Sequence, residues 1–265
     1  MSALPAETCF APARYAAIVN VIAKTAAANR KSVQRRVETY VWNDIGSQLD
    51  AAGCVRLKTL LTPAECDYLA ALYPQEEHFR STVRMARHGF GKGEYRYFKY
   101  PLPSLIGELR AALYSHIVTL ANEWNARMNI GARYPKEHAE YLKLCREGGQ
   151  SRPTPLLLQY VAGDYNCLHQ DLYGELVFPL QLTILLSAPA RDFSGGEFVL
   201  TEQRPRMQSR VEVVALQQGD AVLFAVNNRP VRGSKGHYRV KLRHGVSRIH
   251  SGRRHTLGII FHDAK

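Results

Sequence analysis

The sequence predicts an α+β protein in which a mainly helical N-terminal half packs on a C-terminal β-sandwich or jelly roll. Three observations carry this expectation. Stretches of helical composition fill most of the chain before residue 150, a Gly-, Ser- and Pro-bearing connection follows at Gly148 to Pro155, and short β-rich runs begin at Leu156. The parts are drawn as residues 1–150 and 151–265, forming one compact unit, since 265 residues suffice for one large core or two modest ones.

Ala13 to Ala28 and Ser32 to Leu49 read as two helices. Cys54 to Leu60 alternates Val55, Leu57 and Thr59 with Arg56 and Lys58 as a strand does. Thr62-Pro63-Ala64-Glu65 then supplies an N-cap, a first-turn proline and a capping-box Glu for a helix ending near Tyr73-Pro74. Phe79 to His88 and Glu94 to Tyr100 read as a hairpin across the glycine-rich Gly89 to Gly93, placed to form a lid over a site. A long helix is predicted over Ser104 to Asn129, with more helix over Tyr134 to Arg146. The later strands are predicted at Leu156 to Val161, Phe178 to Leu186, Glu197 to Leu200, Val211 to Leu216, Ala221 to Val226, Tyr238 to Val246 and Arg254 to Phe261.

Composition excludes several classes. No stretch carries the roughly 18 uncharged apolar residues of a spanning helix, and Met1 to Ala13 lacks the basic start of a secretion signal. The five cysteines are odd in number and form no Cys-x-x-Cys, so reduced thiols in a cytoplasm are expected. A net charge of +12 points to a polyanionic partner or to simple solubility.

His169-Gln170-Asp171 puts an imidazole and a carboxylate on one face of an extended backbone. Two His and one carboxylate on one face of an octahedral iron leave positions for a bidentate co-substrate and oxygen. His244 is the choice for the third ligand, because it ends the apolar face Tyr238, Val240, Leu242 while Arg239, Lys241 and Arg243 take the other. His250, His255 and His262 are the alternatives: His255 faces opposite to Arg254, His250 sits in a Ser-Gly turn, and His262 lies at a strand end. Ten residues after His244 comes Arg254, then Thr256 on the same face, a pair suited to clamping a dicarboxylate.

With these residues in order, the chain resembles the 2-oxoglutarate and Fe(II)-dependent oxygenase superfamily. Further matches are Tyr160-x-x-Gly163 before His169, Ser194-Gly195-Gly196-Glu197, and Gly219 to Phe224 ahead of the distal His, together spanning roughly residues 156 to 262. Arg87-His88-Gly89-Phe90-Gly91, Leu168 to Glu175, Asn228 to Gly233 and His244 to His262 resemble bacterial proteins described as oxygenases acting on alkylated DNA. The resemblance implies a double-stranded β-helix core of the jelly-roll, cupin-like kind. It implies Fe(II) on His169, Asp171 and His244, 2-oxoglutarate held by Arg254 and Thr256 with Tyr160 as a further donor, and O2 as oxidant. Against AlkB-type DNA demethylases the chain departs: Leu158 replaces a co-substrate-contacting Asn, and their paired downstream arginines are missing. Its Arg254 spacing is closer to prolyl hydroxylases.

If the oxidised carbon is an N-methyl on a base, the hydroxymethyl product collapses to formaldehyde and the repaired base. Nucleic acid is the expected partner, since Ala221 to His262 holds nine Lys and Arg and no Asp or Glu. Candidate substrate residues are Arg84, Arg87, His88 and Tyr95 from the hairpin and Arg229, Arg232 and Arg239 from the basic segment. Removal of alkyl groups from damaged DNA is the leading expectation. A protein hydroxylase of prolyl type is the alternative, and a non-catalytic nucleic-acid-binding protein that kept the fold is a third.

Overall fold

A computed structural model of the chain describes residues 33–265; the helix expected over Ala13 to Ala28 lies outside them. The continuous helix expected over Ser32 to Leu49 is broken. Residues 33–38 are helical, and the chain restarts as α1 (Trp42–Ala52). The break falls at Thr39-Tyr40-Val41, two β-branched residues around an aromatic. There the Thr39 hydroxyl takes the Arg36 carbonyl at 2.7 Å and the Trp42 indole N–H takes that of Val37 at 3.0 Å, competing with helical bonding.

After β1 (Cys54–Leu57), α2 (Pro63–Ala71) begins with the expected capping box: Thr62 Oγ1 accepts from the Glu65 N–H, and the Glu65 carboxylate accepts from the Thr62 N–H at 2.8 Å. α3 (Ser104–Arg127) buries Leu105, Ile106, Leu109, Leu113, Ile117 and Trp124 along one stripe, and α4 (His138–Glu147) packs beside it through Tyr141.

Fourteen strands among the described residues build two antiparallel sheets. The major sheet runs β1–β11–β7–β14–β5–β4–β2, with β8 (Phe193–Gly195) also on β14. Its other members are β2 (Phe79–Arg84), β4 (Glu94–Phe98), β5 (Leu156–Val161), β7 (Leu180–Leu185), β11 (Ala221–Ala225) and β14 (Ile249–Ile260). The minor sheet runs β10–β9–β13–β6–β3, with β12 (Asn228–Gly233) on β13 (Gly236–Val246). It comprises β3 (Gly91–Lys92), β6 (Tyr165–His169), β9 (Phe198–Gln203) and β10 (Arg210–Val214) besides these. The two sheets face each other as a double-stranded β-helix, the fold class expected. Strands β1, β2 and β4 come from the first 150 residues yet pair into the major sheet, so no sheet boundary lies near residue 150.

The expected hairpin is a correction in detail. β2 and β4 do pair, with Arg84 opposite Glu94, but the link between them is not a plain turn. A 3₁₀ turn (Met85–Arg87) leads to β3, which crosses to the minor sheet and pairs with β6. Gly91 makes this possible: at φ 119 it presses so close to β6 that a Cβ would stand 2.4 Å from the Tyr165 carbonyl oxygen.

His138 fastens α4 to the end of β14, and His262 fastens that end to the segment leading into β7. His138 Nε2 donates to the Phe261 carbonyl at 2.8 Å, and His262 Nδ1 accepts from the Phe178 N–H at 3.2 Å. Burial, aided by the nearby Arg110 cation, pushes both imidazoles down to about 3. Each is neutral when folded but takes a proton near 6.5 when unfolded, so stability is full above about pH 6.5 and falls as pH drops toward 3. In urea titrations of the metal-free chain across this range, His138→Gln is expected to be less stable than wild type at pH 7.5 and to lose less stability on acidification. Parallel pH slopes for the two proteins would contradict this.

Candidate metal centre

His169 ends β6, Asp171 follows two residues later, and His244 lies directly across from His169 on β13. The antiparallel pairing thus brings residues 75 positions apart in sequence (244 minus 169) to one point. One ligand atom from each of the three lies within 4.8 Å of the others. His169 Nε2 is 3.5 Å from Asp171 Oδ1, and His244 Nε2 is 3.4 Å from Asp171 Oδ2.

The orientation of each group has a local cause. His169 Nδ1 is 2.8 Å from the Cys167 carbonyl; Nδ1–H donates there, so Nε2 is the nitrogen that faces Asp171. The His244 ring is wedged by Phe224, 4.6 Å away between centroids, and by Phe198 at 6.0 Å. Its Nδ1 is buried without a hydrogen-bond partner. Asp171 is buried and accepts two further bonds, from the Tyr173 hydroxyl at 2.7 Å on Oδ1 and from Gln181 Nε2 at 2.8 Å on Oδ2.

Burial alone would raise the Asp171 carboxyl, but the hydrogen bonds and charges of the two histidines outweigh it and hold it well below the usual carboxylate range. Burial disfavours charge on both imidazoles. The Asp171 carboxylate overcomes this at His169, which is raised, but not at the more deeply buried His244, which stays lowered. A carboxylate between two imidazole nitrogens is the donor set of a divalent first-row metal.

The cluster opens on a cavity of about 200 Å³. Its wall on the inner face of β5 can be followed by register. Tyr160 stands opposite Arg254, Leu158 opposite both Tyr95 and Thr256, and Leu156 opposite Tyr97 and Gly258. Tyr160, Thr256 and Tyr95 line the cavity, whereas Arg254 is buried beside it, its guanidinium 5.6 Å from the Tyr160 ring and 5.8 Å from that of Phe193. Arg254 is 1% exposed, and its Nε and Nη1 have no hydrogen-bond partner. Burial pushes its guanidinium down to about 10. Gly196, in the expected Ser-Gly-Gly-Glu run, clears space for it, since a Cβ there would meet Arg254 Cδ at 3.0 Å and Ile249 Cδ1 at 2.2 Å.

Not all the expected substrate residues reach this cavity. Arg84 is exposed at the end of β2, 3.5 Å from the Glu94 carboxylate, and Arg87 and His88 are exposed on the β2–β3 connection that carries Phe90, which lines the cavity. Arg229 is corrected: it is 1% exposed and spent inside the fold, with Nε donating to Glu202 at 2.9 Å, Nη2 to the same carboxylate, and further N–H groups to the Asp50 and Ala51 carbonyls. Arg239 is exposed, with its guanidinium on the Met128 carbonyl, and lies five residues, about 17 Å, along β13 from His244, away from the cavity. Arg232, opposite His237, is farther still, in a separate surface hollow with Asp50 and Arg127. His262 and His255, the alternative ligands, are engaged elsewhere, His255 Nε2 with Gln159 at 2.9 Å. Sequence reasoning passed over Asn166, Tyr173 and Gln181, all of which line the cavity. Tyr173 shares the parity of Asp171 and was findable; Gln181 arrives from a different strand with no motif around it.

A family model described as "Oxygenase, catalysing oxidative methylation of damaged DNA" matches residues 93–264. The chain belongs to this oxygenase family. An uncharacterised protein of Mycobacterium tuberculosis (strain H37Rv) is 48% identical over 167 residues, covering 63% of this chain and 72% of that protein. The oxygenase shares its fold with a prolyl hydroxylase solved in complex with a hypoxia inducible factor peptide fragment from Trichoplax adhaerens (TM-score 0.52, 16% identity, 86% of this chain and 90% of the other). It also resembles a 2OG-Fe(II) oxygenase family oxidoreductase from Burkholderia pseudomallei (TM-score 0.51, 16% identity, 85% and 94%). Fe(II), 2-oxoglutarate and O2, the expected cofactors, are those of the 2OG-Fe(II) oxygenases. No helix among the described residues of the oxygenase is long and apolar enough to cross a membrane.

Arg229 offers a direct check on its structural role. Arg229→Ala takes from the buried Glu202 carboxylate its one buried cation, leaving it the Arg204 guanidinium at 2.9 Å, and is expected to destabilise the enzyme by about 1–3 kcal/mol in urea denaturation. Unchanged stability with impaired substrate binding would return Arg229 to the substrate surface.

Proposed function

We propose that this oxygenase removes alkyl groups from the bases of damaged DNA by Fe(II)- and 2-oxoglutarate-dependent hydroxylation of the alkyl carbon. The observation that carries the chemistry is Arg254. A fully buried guanidinium with two unpartnered nitrogens, packed on the Tyr160 ring that lines the same cavity as a His–Asp–His cluster, suits an anion delivered to a metal. In this reading His169 Nε2, Asp171 and His244 Nε2 hold Fe(II), and Arg254 takes the far carboxylate of 2-oxoglutarate with the Thr256 and Tyr160 hydroxyls as partners. When bound, iron and co-substrate together supply the oxidising power that places a hydroxyl on an unactivated C–H bond.

The chain's own residues orient and exclude. Tyr173 and Gln181 hold the Asp171 carboxylate so that it does not swing away from the two imidazoles. Leu156 and Leu158 give the cavity an apolar floor that keeps bulk water from the reacting carbon. For an N-methyl group, O2 and 2-oxoglutarate are consumed and succinate and CO2 released as N–CH3 becomes N–CH2OH. The hydroxyl proton then passes to nitrogen, the C–N bond breaks, and formaldehyde leaves. DNA as substrate is supported by the description of the matched family, by the net charge of +12, and by the exposed Arg87 and Lys92 on the segment that carries the cavity-lining Phe90.

Arg254 and Arg229 are expected to separate function from stability. Arg254→Met removes an uncompensated buried cation, so the ligand-free chain is expected to be as stable as wild type or more so. Its affinity for 2-oxoglutarate, read by calorimetry with Mn(II) in place of iron, is expected to fall by about 2–5 kcal/mol, roughly thirtyfold or more. Wild-type affinity in Arg254→Met would remove it from the co-substrate site. For the substrate, formaldehyde release from an N-methylated oligonucleotide that weakens steeply with added salt supports DNA. Turnover of a prolyl peptide, with none of any oligonucleotide, would overturn it.

A further inference from the structure

We infer that Phe90, backed by His88, is the platform on which the reacting base stacks as it enters the metal cavity. The inference rests on the DNA-oxygenase reading above and names the part of this chain that selects a planar substrate. Phe90 lines the cavity yet is 48% exposed, an unusual state for a phenyl ring on a well-fastened backbone. The fastening is thorough. The Met85 carbonyl accepts the N–H of His88 at 3.0 Å and of Phe90 at 3.2 Å, Met85 N–H donates to the Gly93 carbonyl at 3.0 Å, and Gly91 and Lys92 pair with Asn166 and Tyr165 of β6. The His88 ring lies against Phe90 at 5.3 Å between centroids and 23° between planes, bracing one side of the phenyl ring.

The platform is in register with the metal. Cys167 N–H donates to the Phe90 carbonyl at 2.9 Å, and the Cys167 carbonyl in turn holds His169 Nδ1 at 2.8 Å. Two hydrogen bonds through one residue therefore set Phe90 against the ligand that would hold the iron. Tyr95 and Tyr173 add aromatic walls to the cavity, while Arg87 and Lys92 stand exposed on either side of Phe90 along the chain. An aromatic entrance with cations beside it matches a base joined to phosphates, whose ring stacks whatever its identity.

The test uses full-length protein loaded anaerobically with Fe(II) and 2-oxoglutarate, and a single-stranded oligonucleotide carrying one N-methylated adenine. Phe90→Ala and Phe90→Leu are expected to bind it roughly five- to a hundredfold more weakly, with the iron and 2-oxoglutarate absorbance band unchanged. Phe90→Trp is expected to restore binding, and its added fluorescence, over the native Trp42 and Trp124, is expected to be quenched by the oligonucleotide. Wild-type affinity in Phe90→Leu overturns stacking and leaves the DNA reading intact. A wild-type protein that forms the absorbance band but binds no oligonucleotide overturns the DNA reading and the platform with it.

Discussion

A carboxylate with almost no access to water needs several donors to stay charged, and Asp171 has them on both oxygens: two imidazoles, a tyrosine hydroxyl and a glutamine amide. Taking such a charge out of water costs several kcal/mol unless partners compensate. The compensation here is drawn from three parts of the fold. His169 and Tyr173 lie on either side of Asp171 in sequence, His244 arrives on β13, and Gln181 arrives on β7 of the opposite sheet. The two sheets must face each other at this spacing and register for the carboxylate to be satisfied. A one-residue slip of β13 against β6 would turn His244 outward and Arg243 inward, next to a buried anion but without the metal donor.

Two buried arginines show how the same side chain serves opposite ends. Arg229 is fully spent, on Glu202 and two backbone carbonyls that fix the end of α1 to β12. Arg254 has no acidic partner within ion-pair distance among the described residues, only aromatic faces and two idle nitrogens. The first lowers the energy of the fold, whereas the second raises it, and in the function proposed above an anionic ligand supplies its partner. Burial separates them from the surface arginines but not from each other; the count of satisfied nitrogens does.

The legible part of the sequence was the part written in spacing. His169-x-Asp171, the apolar face running into His244, and Arg254-x-Thr256 are local period-two patterns, and strands honour them wherever they pair. The capping box at Thr62 and the strands β5 and β11 were likewise read from neighbouring residues. What was hidden depends on pairing across the chain. β12 carries Pro230 and alternates poorly, yet it survives as a strand because it bonds only β13 and leaves its other side free. β3 is two residues long and is invisible except as glycines, though it ties Phe90 to the metal ligand strand. Arg229 and Arg239 looked like substrate residues because charge in a sequence does not reveal which cations the fold has already paired.

The proposed chemistry requires that this cluster, with its idle arginine, bind metal and co-substrate together. The most direct measurement is an anaerobic titration of the purified protein with Fe(II), with and without 2-oxoglutarate, followed by visible absorbance. An absorption band that needs both components, saturates at one iron per chain, and is lost in Asp171→Ala is the result expected. Absence of any such band in a folded wild-type protein would contradict it.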